Sequence, residues 1–263
     1  MRRDLLLALG LNAGLTMALA GQSLVRRITS VTDGEVRIAF AAREGICGDG
    51  RTYIRDRNRD GYYMHSHGSG QRWRERFCED GPVRVAIKMR EGRVRSARTY
   101  VGGDWPDAGS GVTDLGTVGA RPAAEGLLEL ARSSTYSGDD LVFPSTIADS
   151  VTIWPSLLAL ARDRDAPRTS RKQAVFWVSQ AAGDKAADGL GQLAEDEDED
   201  REVREQAVFA LSQLPKDEGV PILIRVARTN KSPDVRRKAL FWLGQSEDPR
   251  ALALFEEILT KKE

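Results

Sequence analysis

The side chains best suited to chemistry lie close together, in the stretch "DRNRDGYYMHSH" that runs from Asp56 to His67. Asp56, Asn58, Asp60 and Gly61 match the first half of a calcium loop, with carboxylate and amide oxygens at alternate positions and glycine at the sharp turn. The second half departs from that pattern. His67 stands where a bidentate glutamate belongs, and Tyr63 where an aliphatic residue belongs. Arg57 and Arg59 add positive charge inside the loop, which opposes a cation. His65 and His67 are the only histidines in the sequence. In extended backbone residues i and i+2 share a face, so this pair together could ligate zinc or copper, with a third ligand from Asp56, Asp60 or elsewhere. Against these metal readings stands a plainer one, a polar surface turn joining two strands.

Other chemistries have less to work with. The sequence holds no Gly-x-Ser-x-Gly, no phosphate-cradling glycine loop and no paired carboxylates whose environment it defines. Serine-type catalysis needs a buried histidine oriented by an acid, whereas His65 and His67 sit among Ser and Gly. No catalytic residue and no cofactor is expected. The 39 basic residues balance 39 acidic ones, so no global field recruits nucleic acid or anionic lipid.

The first twenty residues set the expected compartment. "MRRD" is a short basic start, and "LLLALGLNAGLTMALA" is an apolar run too short to span a bilayer comfortably. It ends in Ala18-Leu19-Ala20, the small-x-small pattern of a signal peptide cut after Ala20. No later segment is apolar enough to cross a membrane, so a periplasmic or secreted mature chain is expected. Cys47 and Cys78, the only cysteines, then read as a disulfide rather than two free thiols.

The elements that position these residues fall into two grammars. Over 31–101 the period is that of strands: Val36, Ile38 and Phe40 alternate with Arg37 and Ala39, and Val83, Val85, Ile87 and Met89 share a face. Glu91-Gly92 supplies a tight turn before a strand that returns from Val94 to Tyr100. The Gly- and Asp-rich stretch 102–120 reads as a linker. From 121 to 263 the period is helical. The fold class expected is therefore α+β and multidomain: a small, disulfide-clipped, mostly antiparallel β domain followed by an α-solenoid.

The solenoid rests on an octet written three times, "QAVFWVSQ" from Gln173, "QAVFALSQ" from Gln206 and "KALFWLGQ" from Lys238. Alignment on Ala174, Ala207 and Ala239 gives spacings of 33 and 32 residues, the period of stacked helical units. Each octet helix is followed by an Asp (Asp184, Asp217, Asp248) where a second helix begins, and Ser232-Pro233 and Asp248-Pro249 read as caps. Val203, Ala207, Leu211 and Leu214 fall on one helical face.

These units resemble HEAT-like repeats, the short bacterial kind also found in the phycobilisome-lyase-type family. The pattern Val-Arg-x-x-Ala-Val-x-Ala-Leu-Gly is met at Val203, Arg204, Ala207, Val208, Ala210 and Leu211, with Ser212 replacing Gly. It recurs at Val235, Arg236, Ala239, Leu240, Leu243 and Gly244, and more weakly in the first unit, which carries Ser170 in the valine position. The resemblance covers roughly 150–263 and implies a stacking framework for protein–protein interaction. It implies no chemistry. The helices from "RPAAEGLLELARSS" to "TIWPSLLALARD", 121–163, are expected to extend it as a divergent amino-terminal cap.

One feature departs from the family pattern. Two residues after the shared alanine stands Phe176, Phe209 or Phe241, followed four residues later by Gln180, Gln213 or Gln245. Stacking places equivalent residues in a row, so these six predict a ridge that either packs between helices or beneath the linker, or docks a partner or the protein's own β domain. Trp177 and Trp242 read as packing. The acidic run Glu195 to Asp200 reads as a solvated turn, with Asp200 capping the next helix. The function expected is an exported, non-enzymatic scaffold for an unidentified protein partner. Two alternatives stand beside it: a metal-dependent or enzymatic module at Asp56–His67 with the solenoid as platform, and a structural envelope protein that self-associates.

Overall fold

The computed structural model describes residues 23–51, 53–58, 63–66, 78–107, 109–134, 139–181 and 186–260, with backbone alone for 63–66, 139–140 and 181. The expected signal peptide, Asp60, His67 and Asp184 lie outside the described residues. The chain divides into two compact units, Met1–Thr152 and Ile153–Glu263.

The first unit begins with helix α1 (23–29). Its strands are β1 (Gly34–Phe40), β2 (Ile46–Gly48), β3 (Tyr53–Asp56), β4 (Tyr63–Ser66), β5 (Glu79–Asp80), β6 (Val83–Arg90), β7 (Arg93–Tyr100) and β8 (Val112–Thr117). Two helices follow, α2 (Ala120–Ser133) and α3 (Asp139–Thr146). One sheet has the order β7-β6-β1-β8, and β1 runs antiparallel to β6 but parallel to β8. The alternation places Val36, Ile38, Phe40, Val85, Ile87 and Met89 in the core. Leu24 and Ile28 of α1 and Leu127 and Leu130 of α2 are buried too, and α3 packs on β7. The hairpin turn has both residues at positive φ, 55° for Glu91 and 69° for Gly92, which suits the twist of the two strands.

The second sheet, β4-β3-β2-β5, is short and carries the disulfide. Cys47 in β2 and Cys78, just ahead of β5, are bonded across 31 residues. Closing a loop of that length is worth roughly 3–4 kcal/mol on the chain-entropy account.

The stretch 102–120 differs from the linker expected. It supplies β8, the edge strand beside β1, and the first residue of α2. Most side chains of β8 face solvent, so the strand shows no apolar alternation. The helices α2 and α3, expected to extend the solenoid, group with the sheet unit instead.

Among the described residues the elements of the second unit are all helices: α4 (Trp154–Arg162), α5 (Arg168–Ala181), α6 (Ala187–Glu195), α7 (Arg201–Ser212), α8 (Lys216–Thr229), α9 (Pro233–Gln245) and α10 (Pro249–Thr260). The octet helices α5, α7 and α9 stack side by side in one layer, and α6, α8 and α10 in a second. Within the turn-connected series the close pairs are α4–α5, α6–α7 and α8–α9, so each octet helix packs mainly on the helix before it. Ala174, Ala207 and Ala239 are fully buried, because helices approach closely where the side chain is a methyl group.

An arginine fastens each joint. Arg171 donates from Nε to the carbonyl of Ala161 at 3.1 Å, and Arg204 from Nε to that of Ala194 at 3.3 Å. Arg236 donates from Nη1 to the carbonyl of Asn230 at 2.6 Å. These carbonyls end the preceding helices and have no partner within the helix itself, so the guanidinium supplies the missing donor. The Val-Arg signature is thus a device for joining one unit to the last.

Candidate protein-interaction surface

Phe176, Phe209 and Phe241 occupy the same place on α5, α7 and α9, so stacking brings them into line. The rings of Phe176 and Phe209 lie parallel, with centroids 6.5 Å apart and planes 5° apart. Phe209 meets Trp242 at 5.1 Å, and Trp242 meets Phe241 edge-on at 5.0 Å. Phe176 and Trp177 form a further edge-on pair at 5.0 Å. The result is a continuous aromatic row across three units. Trp177 is buried, Phe176, Phe209 and Trp242 are half-buried, and Phe241 is exposed.

Amides edge this row. Gln213 and Gln245 are exposed and Gln180 is half-buried. In the first two units a serine orders the glutamine. Ser179 Oγ donates to the carbonyl of Phe176 and accepts from Gln180 Nε2 at 3.4 Å, and Ser212 Oγ does the same between Phe209 and Gln213, at 3.1 Å. The third unit has Gly244 in the serine position and lacks that relay. An apolar ledge lined by amides offers a partner both area to bury and hydrogen bonds to backbone groups.

The acidic turn is more than a solvated face. Glu195 pairs with Arg225 at 2.7 Å, Asp196 with Arg164 at 2.9 Å and Glu197 with Lys231 at 2.9 Å, each across the joint between units. Glu199 is buried against Arg171, whose Nη1 also reaches Asp200 at 3.2 Å. Asp200 makes no side-chain cap to α7 and instead takes these arginines, Arg168 included. Ser232 likewise makes no side-chain cap bond, and its own N–H donates to Asn230 Oδ1, whereas Asp248 Oδ1 accepts from the N–H of Arg250 at 2.9 Å. Arg250 also hydrogen-bonds Asp248 through its side chain, which pulls that carboxyl down to about 2. A groove of about 610 Å³ opens beside the turn, lined by Arg162, Arg164, Gln192, Asp196 and Glu199. Its polar groups largely satisfy one another, as in Arg162 to Gln192 at 2.7 Å.

The Asp56–His67 stretch is arranged differently from the row. Asp56 is fully buried, and its carboxylate accepts from Arg43 Nη2 at 2.9 Å and from the N–H of Asn58 at 3.0 Å. The amide of Asn58 donates to the carbonyl of Glu44 at 3.0 Å. His65 sits in β4 with its backbone opposite Ile54. Among the described residues no group of three or more His, Cys, Asp or Glu side chains is placed to hold a metal ion.

Sequence reasoning did not single out Trp105. The guanidinium of Arg37 lies over its ring at 4.7 Å and that of Arg84 at 5.4 Å, with Tyr100 edge-on at 6.2 Å. Burial lowers the pKa of Arg84, opposed by Asp104. These contacts hold the strap around Trp105 against β1 and β6, the strands that carry the two arginines. A cavity of about 150 Å³ there is lined by groups of both signs, Glu35, Arg37, Lys88, Arg98 and Asp107 among them. The two arginines that clasp Trp105 come from β1 and β6, so no local pattern announces them.

Comparison with known proteins adds one finding. Residues 187–263, from α6 through α10, match the family model for HEAT repeats. No curated protein matches the chain.

Proposed function

We propose, from a carboxy-terminal unit built of HEAT-like repeats, that the protein is an exported, non-enzymatic scaffold that holds another protein against the flank of α5, α7 and α9. The aromatic row with its amide edge is the observation that carries this reading. It is a surface repeated at one unit's spacing, as a rod-like or extended partner requires, and it combines half-buried rings with exposed glutamines. Three features support export. The first twenty residues read as a signal peptide, the first unit carries a disulfide, and among the described residues no helix is long and apolar enough to cross a membrane.

The test is affinity capture from the native host envelope, with Gln180→Arg/Gln213→Arg as the control. Both glutamines lie at the edge of the row, so the double variant keeps its helical circular dichroism. The expected result is loss of one captured protein, with mature chains beginning at Gly21. An identical captured set for wild type and variant overturns the flank, and a full-length chain retained in the cytosol overturns export.

A further inference from the structure

Among the described residues, the large apolar side chains left exposed are Phe241 (55%), Leu252 (60%), Ile258 (50%) and Leu259 (84%). All four lie on the last two helices. Comparison of the units explains why. Leu252, Phe255, Ile258 and Leu259 of α10 are the counterparts of Val220, Leu223, Val226 and Ala227 in α8, and of Ala187, Leu190, Leu193 and Ala194 in α6. The α8 and α6 sets are buried without exception. In those units the helix that follows, α9 or α7, packs closely on them. Helix α10 carries the same stripe, and among the described residues no helix follows to cover it. A solenoid normally ends on a polar face, since a bare stacking face is a liability in water.

We propose that a second copy of this chain covers this face, with the two α10 helices antiparallel about a two-fold axis. The surface continues the interface that joins one unit to the next, so the shape that fits it is another stacking helix, and the copy's own α10 supplies one. Charge allows the pairing. Lys238 on α9, three residues before Phe241, and Glu256 on α10, between Leu252 and Leu259, form no ion pair among the described residues. They are of opposite sign, so the two-fold sets Lys238 of one copy against the partner subunit's Glu256, whereas a face of one sign would repel its copy.

The pair closes rather than growing into a filament. Within the chain, Arg168 bridges to Glu202 at 3.0 Å and Arg201 to Asp234 at 3.1 Å, one rung per joint. The last unit has Pro233 where those arginines stand, and the first has Thr169 where those acids stand. Head-to-tail addition would therefore lack its rung at every new joint. This inference shares Phe241 with the aromatic row but uses neither Gln180 nor Gln213, which edge that row on the earlier helices.

Sedimentation equilibrium of the mature full chain across a concentration series tests it. Wild type is expected at two chain masses, and Leu252→Glu/Leu259→Glu at one, with unchanged helical circular dichroism. Lys238→Glu should weaken the dimer, and the swap Lys238→Glu/Glu256→Lys should restore it. Gln180→Arg/Gln213→Arg should remain dimeric even where it loses the captured partner, so failure of one idea is separable from failure of the other. A wild-type monomer throughout, a dimer that survives Leu252→Glu/Leu259→Glu, or masses that climb with concentration would each overturn the proposal.

Discussion

Removal of the Glu199 carboxylate should destabilise the helical unit far more than loss of any exposed ion pair. Arg171 and Glu199 are both nearly inaccessible, with side-chain exposures of 2% and 1%. The guanidinium is anchored by the Ala161 carbonyl at 3.1 Å and by Asp200 at 3.2 Å. Glu199→Ala leaves a cation buried with one half-exposed carboxylate and one carbonyl for company. Breaking a buried pair on one side costs about 3–5 kcal/mol, and the surviving contacts put this case near about 3 kcal/mol. Replacing both partners with apolar residues of similar size, as in Arg171→Met/Glu199→Leu, should bring the loss within about 1 kcal/mol of wild type, because no charge is then stranded. The exposed rung provides the contrast: Arg168→Ala should cost below about 1 kcal/mol. Urea unfolding of the full chain, followed by circular dichroism of the helices, reads all three. If Glu199→Ala costs no more than Arg168→Ala, or the double variant is as damaged as the single, then Arg171 is solvated and the reasoning is refuted.

The remaining predictions address other joints. Ser170 is fully buried and its hydroxyl has no hydrogen-bond partner among the described residues, while Val203 and Val235 fill the same place in the later units. Ser170→Val should therefore raise the thermal midpoint, by roughly 1 kcal/mol of stability. The hydrogen bond from Arg250 holds the carboxyl of Asp248 at about 2, below its ordinary 3.8. That stabilisation is fully present above pH 3.8 and is lost as pH falls through about 2. Amide protection factors at the start of α10 should fall over that window in wild type and not in Asp248→Asn. Reduction, or Cys47→Ser/Cys78→Ser, should lower the stability of the first unit by about 3–4 kcal/mol, as measured by protease sensitivity of the strand region.

How far the sequence could be read follows from where each signal resides. The octets were legible because a buried joint repeats its size requirements: Ala174, Ala207 and Ala239 are all methyl-sized for the same reason. The strands β1, β6 and β7 were legible because one face is buried and period two survives. The edge strand β8 was not, since the partner that makes it a strand is β1, some eighty residues earlier, and its own side chains are mostly wet. The acidic run showed only its local charge, because Arg225 and Lys231, which bridge to Glu195 and Glu197, come a full unit later. The six Phe and Gln positions were nameable from the repeat, but the closeness of Phe209 to Trp242 depends on how neighbouring helices are rotated. The apolar stripe on α10 reads as core in one dimension. Only the stacked helices show that nothing among the described residues covers it.

Site-specific photo-crosslinking puts the scaffold reading to the most direct trial. A photoreactive residue at Gln213, with a second preparation labelled at Arg90 on the sheet unit, is irradiated in the native envelope. The scaffold reading predicts a discrete adduct of one further protein at position 213, absent at position 90. Equal labelling at the two positions, or none at 213, would contradict it.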